Sequence, residues 1–231
     1  MNNFLVFDIE NNSSKVYGRK AGFFLVDPIV AIGLYDGSKA ISHYIYPDKI
    51  TEFKIDEDVL VGHNIKHDLL FIWHLEDLQD FFRRGGKVWD TMLAEYIITG
   101  QQSKYAKLRD LAVNKYGCPE RTKHIDDLLF KNPNSIYKQV SDLPPELVCE
   151  DVRGDVENTG DVYIQQVEEA TKQGILPLIE GHMDALLATT EMEYNGFKVD
   201  DRMLRDNRRE LEIELDRTEK EAMKIISKYW K

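Results

Sequence analysis

The order of its apolar runs constrains this chain more than any other feature. Three strand-like runs precede any segment of helical spacing, and the later ones alternate with helical segments. Residues 4–8 (FLVFD) and 29–35 (IVAIGLY) are short continuous apolar runs of the kind buried strands use, the second closed by the turn pair Asp36-Gly37. Residues 40–46 alternate and end at Pro47-Asp48, so these three are expected to form an antiparallel meander. Residues 59–62 read as a fourth strand. From Lys66 the spacing of Leu69, Leu70, Ile72, Trp73, Leu75, Leu78, Phe81 and Phe82 predicts a helix that lasts until Gly85-Gly86, and residues 88–90 predict a fifth strand. Thr91 is expected to N-cap a helix through Ile98, stopped by Gly100, and residues 108–116 form a short helix with Gly117 at C′. Pro144-Pro145 opens a long helix from about Glu146 to Lys172, closed by Gly174. Strands followed by alternating helices and strands make an α/β fold with a mixed sheet.

After Gly174 the character changes, which places a boundary near Gln173-Gly174 and divides the chain into residues 1–173 and 174–231. Residues 176–194 are helical, Asn195-Gly196 is a turn, and a highly charged helix runs from Val199. Its Leu204, Leu211, Leu215, Ala222, Ile225, Ile226 and Tyr229 form one apolar stripe. Two cysteines, Cys118 and Cys149, are too few for a disulfide framework and lack zinc-site spacing, so any metal is expected on oxygen ligands. No apolar run approaches the ~18 residues of a membrane span, and because the N-terminus reads directly as a strand no signal segment is expected. The expected setting is cytoplasmic, in a bacterial or phage-infected cell. A net charge of -11, from 41 acidic and 30 basic residues, speaks against binding nucleic acid by bulk electrostatics.

Three groups of carboxylates stand out. Asp8 and Glu10 lie two apart at a strand end, so both point to one face and can reach the same cation; alone, such a pair is equally a solvated strand end. Asp68 falls near the first turn of the helix from Lys66, with Asn64 before it as either a nucleotide contact or an N-cap. Asp151 and Asp155 are four apart on the long helix, and Asp155 lies beside the apolar stripe of Leu147, Val148, Val152, Val156, Val162 and Tyr163. Carboxylates gathered from distant segments destabilise a fold unless a cation joins them, and an all-oxygen set suits Mg²⁺ or Mn²⁺. Two such ions roughly 3.5–4 Å apart suit in-line hydrolysis of a phosphodiester.

These residues resemble the motifs of the DEDD 3′–5′ exonucleases of the ribonuclease-H-like superfamily, and within it the proofreading domain of family A, DNA polymerase I-like polymerases, particularly phage ones. Asp8 and Glu10 in FDIE match the first motif, Asn64 and Asp68 in HNIKHD the second, and Asp155 in DVENT the third; residues 89–96 and 108–112 resemble the segments between. The resemblance covers residues 4–170 and implies a ribonuclease-H-like mixed sheet flanked by helices, with a C-terminal helical extension. It implies two Mg²⁺ ions, Mn²⁺ being a substitute, on Asp8, Glu10, Asp68 and Asp155, and release of nucleoside 5′-monophosphates from a DNA 3′ end. Residues 192–200 (MEYNGFKVD) are similar to the stretch before the polymerase thumb helix, but the polymerase motifs are missing, so no DNA synthesis is expected. Where that branch has a Tyr four residues before the third-motif Asp, or a sister branch a His five before, this chain has Asp151 and Glu150. Asp151 is therefore expected to hold the attacking water or a metal; without general-base help the rate falls about 10²–10⁴-fold.

Lys104, Lys107, Arg109, Lys115, Arg121, Lys123, Lys131 and Lys138 form a basic stretch interleaved with Tyr105, Tyr116, Phe130 and Tyr137. Such a mixture suits a single strand, by phosphate contact and base stacking, and equally suits a solvated helical surface over core aromatics. Asn64, Lys104 and Tyr105 are the expected substrate contacts, and the favoured substrate is a single-stranded or mismatched 3′ end. The helix of residues 199–231 is expected to dock on a polymerase subunit or domain. An RNA-processing exonuclease and a weakly active scaffold are the alternatives.

Overall fold

The computed structural model describes residues 3–13, 23–102, 105–125, 127–131 and 135–229. β1 (Phe4–Asn11) is the central strand of a five-stranded sheet of order β3-β2-β1-β4-β5. It pairs antiparallel with β2 (Ile29–Tyr35), which pairs antiparallel with β3 (Ala40–Tyr44). On its other edge it runs parallel to β4 (Val59–Gly62), and β4 runs parallel to β5 (Lys87–Asp90). The meander and the mixed sheet expected from the apolar runs are both present. All four residues of β4 are buried, as a parallel strand covered on both faces requires.

Alternation along β1 sorts the core into two halves. Leu5, Phe7 and Ile9 pack with Leu69 and Ile72 of α1 (Lys66–Ile72) and with Leu78 and Phe81 of α2 (Glu76–Arg83). Phe4 and Val6 pack with Ala94 and Ile97 of α3 (Thr91–Ile98), Val156 and Tyr163 of α4 (Pro145–Gln173), and Ile179 and Met183 of α5 (Leu176–Asn195). Asp8 and Glu10 share the parity of Phe4 and Val6, which is the face that α4 covers. Gly33 of β2 makes that packing close, since a Cβ there would sit 2.7 Å from the Val152 carbonyl oxygen.

Three local expectations need correction. The helix from Lys66 is two helices, because Leu75 turns extended (φ -75°, ψ 132°) and Gln79 Nε2 bonds the freed Trp73 carbonyl at 2.8 Å. The apolar spacing continues across the break because Leu75 is itself buried. The N-cap of α3 is Asp90, not Thr91: its carboxylate accepts from the backbone N–H groups of Met92 and Leu93. Residues 110–115, expected as ordinary helix, form a π-helical turn, with Gly117 beyond it at φ +68°. Gly174 ends α4 in the left-handed conformation, as its position implied.

By contacts the chain divides into Met1–Tyr194 and Asn195–Lys231. α5, beyond the change of character at Gln173-Gly174, places Ile179, Met183 and Leu186 in the core of the first unit. The second unit is α6 (Asp201–Tyr229), which buries none of its residues. Among the described residues no helix is long and apolar enough to cross a membrane.

Candidate active site

The carboxylates of Asp8, Glu10 and Asp155 converge, their nearest oxygen atoms all within 4.8 Å of one another. Two come from one strand and one from the helix packed over that strand, so Asp155 is placed by the packing of α4 on β1 and β2. Asp68, on the first turn of α1, is buried and accepts the backbone N–H of Ile9, which ties α1 to the same strand. Burial raises the Asp8 carboxyl well above its ordinary value of 3.8, and the charges of Asp68, Asp155, Glu10 and Asp151 push it the same way. Burial likewise raises Asp68. Like charges held this close oppose folding until a cation joins them. The donors are all carboxylate oxygens, with no sulfur among them, and this is the set that Mg²⁺ and Mn²⁺ select.

Asp151 lies one turn before Asp155 and is 2 % exposed. Its carboxylate accepts the backbone N–H of Lys123 at 2.5 Å and those of His124 and Ile125, while burial raises its pKa. Thr122 Oγ1 donates to Asp155 Oδ1 at 2.5 Å. Asp151 therefore faces a loop as well as the cluster.

Asn64 is exposed and left-handed (φ +61°). It is not the N-cap of α1: that residue is Ile65, and no side chain caps the helix. The Asn64 backbone N–H instead donates to Asp90 Oδ1 at 3.0 Å, so the buried Asp90 carboxylate joins the second-motif turn to the start of α3. Asp90 was legible only as a strand end, and Thr122 gave no signal in the sequence. His63 packs behind this turn with Nδ1 2.9 Å from Thr91 Oγ1, and burial lowers its pKa to about 4, which keeps it neutral.

Tyr105 is 60 % exposed, its ring 4.9 Å from that of Tyr96. Lys104 lies outside the described residues. Much of the basic stretch is engaged within the protein: Arg109 with Glu120, Lys115 with Glu95 and Glu169, Arg121 with Glu157 and Asp161, and Lys123 with Glu150.

No family model and no curated protein matches the sequence. Solved structures do match in fold. Brucella melitensis NrnC with bound Mg²⁺ superposes with a TM-score of 0.61 at 12% identity, over 87% of this chain and 90% of that one. The same protein bound to pGG gives 0.56 at 15% identity, over 87% and 90%. Escherichia coli RNase D, an exoribonuclease involved in structured RNA processing, gives 0.51 at 13% identity, over 85% of this chain and 46% of that one. The mixed sheet flanked by helices thus has the ribonuclease-H-like fold of these structures.

Proposed function

We propose that this chain is a metal-dependent 3′–5′ exonuclease that hydrolyses the terminal phosphodiester of a nucleic acid and releases nucleoside 5′-monophosphates. The convergence of Asp8, Glu10 and Asp155 within 4.8 Å carries the reading. Those three residues and Asp68 would hold two Mg²⁺ ions. Bound there, the ions supply Lewis acidity toward the phosphoryl oxygens and a more acidic water.

The protein's own groups do the rest. Glu10 orients the attacking water, and Asp151, through the amides it accepts, keeps residues 123–125 against α4. Asn64, exposed at the mouth of the second-motif turn, and Tyr105, an exposed ring, serve the terminal nucleotides, with Lys104 for a phosphate.

DNA is the substrate that the motifs and residues 192–200 favour, in the manner of a family A proofreading domain, phage enzymes included, with α6 docking on a polymerase. RNA is the second reading, supported by the likeness to RNase D. Matched DNA and RNA strands with unpaired 3′ ends, incubated with Mg²⁺, decide between them. EDTA abolishes cleavage, and Asp8→Ala lowers it on the order of 10³-fold. Full activity in Asp8→Ala refutes the site, and faster loss of RNA moves the substrate to the second reading.

A further inference from the structure

Residues 121–125 cross α4 beside the carboxylate cluster without belonging to a helix or strand for most of their length. At roughly 100° per residue, Val152 and Val156 define the flank of α4 that faces the sheet, and Gly154, Asn158 and Asp161 lie around the other side. Asp151 and Asp155 fall between the two flanks. We propose that residues 121–125 are a strap that fixes the position and rotation of Asp155, with Thr122 and Gly154 as positioning residues; the proposal rests on the metal-dependent reading above.

The contacts are specific at each step. An aspartate carboxylate rotates in a broad, two-fold well, so backbone position alone does not choose which way its oxygens face. The Thr122 hydroxyl makes that choice by donating to Asp155 Oδ1. Asp151 closes the backbone N–H groups of residues 123–125, which have no ladder to pair with. Arg121 Nη1 donates to Asn158 Oδ1 at 2.8 Å and to Asp161 Oδ2 at 2.7 Å, and its Nε lies 3.2 Å from Glu157 Oε2. Ile125 is buried with Val148 and Val152.

Between these anchors the strap lies against helix backbone. A Cβ on Gly154 would stand 2.5 Å from the Arg121 carbonyl oxygen and 2.9 Å from the Thr122 nitrogen, neither of which is a flexible side-chain end. Glycine in a helix interior costs about 1 kcal/mol against alanine, so its presence here has the close approach as its reason. His124 adopts φ +56°, a conformation that a non-glycine residue keeps when its surroundings over-determine it. A segment held at both ends, strained in the middle and bonded to a cluster carboxylate is built to hold that carboxylate still.

The test reads metal binding rather than turnover. Mn²⁺ is titrated calorimetrically into the full chain without nucleic acid, and thermal melts are taken metal-free. Thr122→Val, which keeps the shape and removes the hydroxyl, is expected to weaken Mn²⁺ binding about 10- to 100-fold, the range for partners of metal ligands, with little change in the metal-free melt. Thr122→Ser restores binding. Gly154→Ala is an independent arm, expected to weaken binding and lower the melting temperature together. Parent-like Mn²⁺ binding in Thr122→Val or in folded Gly154→Ala, or failure of Thr122→Ser to restore it, overturns the strap and leaves the nuclease reading intact. A parent chain that binds no Mn²⁺ overturns both.

Discussion

α4 and α6 are both 29 residues long, and they are opposite solutions to being a helix. α4 is a poor helix by composition. It holds Gly154 and Gly160 in its interior and buries Asp151, Asn158 and Gln166, each of which needs a partner from another element. α6 has no glycine, leaves Leu204, Leu211, Leu215 and Ile225 exposed, and carries i,i+4 pairs such as Arg208–Glu212, Arg217–Glu221 and Asp216–Lys220. The first helix is held by what surrounds it and the second by its own side chains. The candidate chemistry sits on the one whose local preferences are worst, where tertiary contacts can place a carboxylate to a fraction of an ångström.

An ion pair measures that contrast most directly. Glu95 of α3 is 4 % exposed and is reached by Lys115 Nζ at 2.8 Å, by the Tyr116 hydroxyl at 3.2 Å and by Gln166 Nε2 of α4 at 3.2 Å. Glu169 of α4 shares Lys115 and Tyr116 at 3.0 Å each. Glu95→Ala removes the buried carboxylate and leaves Lys115 and Tyr116 to Glu169 alone and Gln166 to the Thr91 carbonyl, and denaturant unfolding is expected to show a loss of about 2 kcal/mol, the range for hydrogen bonds to a charged group. A loss below about 1 kcal/mol would mean that α4 is no more dependent on its neighbours than an exposed helix is.

Acidity probes the surroundings of the carboxylate cluster next. The Asp8 and Asp68 carboxyls are raised by burial above 3.8, so the folded chain holds their protons more tightly than the unfolded one. Their contribution is present below 3.8 and is lost as pH rises through the raised values. His63 works in the other direction: lowered to about 4, it removes stability as pH falls from 6.5 toward that value. A single substitution isolates the first effect. In metal-free buffer Asp8→Asn is expected to melt higher than the parent at pH 7 and level with it near pH 3, by scanning calorimetry. A variant that gains nothing at pH 7 shows that Asp8 is not crowded.

This divide also explains what could be read in advance. The strands, the meander of the first three and the long helix ending at Gly174 were legible because burial imposes a period, and glycine a stop, on the residues themselves. Asp8 and Glu10 stood out as acids placed where an apolar run would otherwise continue, Asp68 by its place near a helix's first turn, and Asp155 by lying beside the apolar stripe of its helix. What stayed hidden depends on segments that meet only in space. Nothing near Thr122 indicates that its hydroxyl reaches Asp155, and Asp90 reads as one more strand end until Asn64, Met92 and Leu93 are seen to converge on it. Gly154 was the one trace of the strap, a helix-interior glycine that its own helix does not need. The basic stretch is a related case: its charges are plain in sequence, while the acids that engage Arg109, Lys115, Arg121 and Lys123 come from α3, α4 and Glu120.

The smallest effect belongs to α6, and it tests whether that helix is as self-contained as its exposure implies. Arg208 and Glu212 meet at 2.9 Å with side chains 78% and 62% exposed. Such a pair gains little, because water screens the attraction and two long side chains lose freedom to form it; the i,i+4 value is about 0.3–0.5 kcal/mol. Glu212→Gln should therefore leave the melt of the first unit unchanged and raise amide hydrogen exchange around residues 205–215 by roughly a factor of two, which is that free energy expressed as an opening equilibrium. An effect several times larger, disappearing on dilution of the chain, would show that Glu212 contacts another molecule and that α6 is held from outside as α4 is. Equal exchange in parent and variant would instead leave the helix to its backbone propensity alone, and the contrast with α4 would then be sharper than the ion pairs suggest.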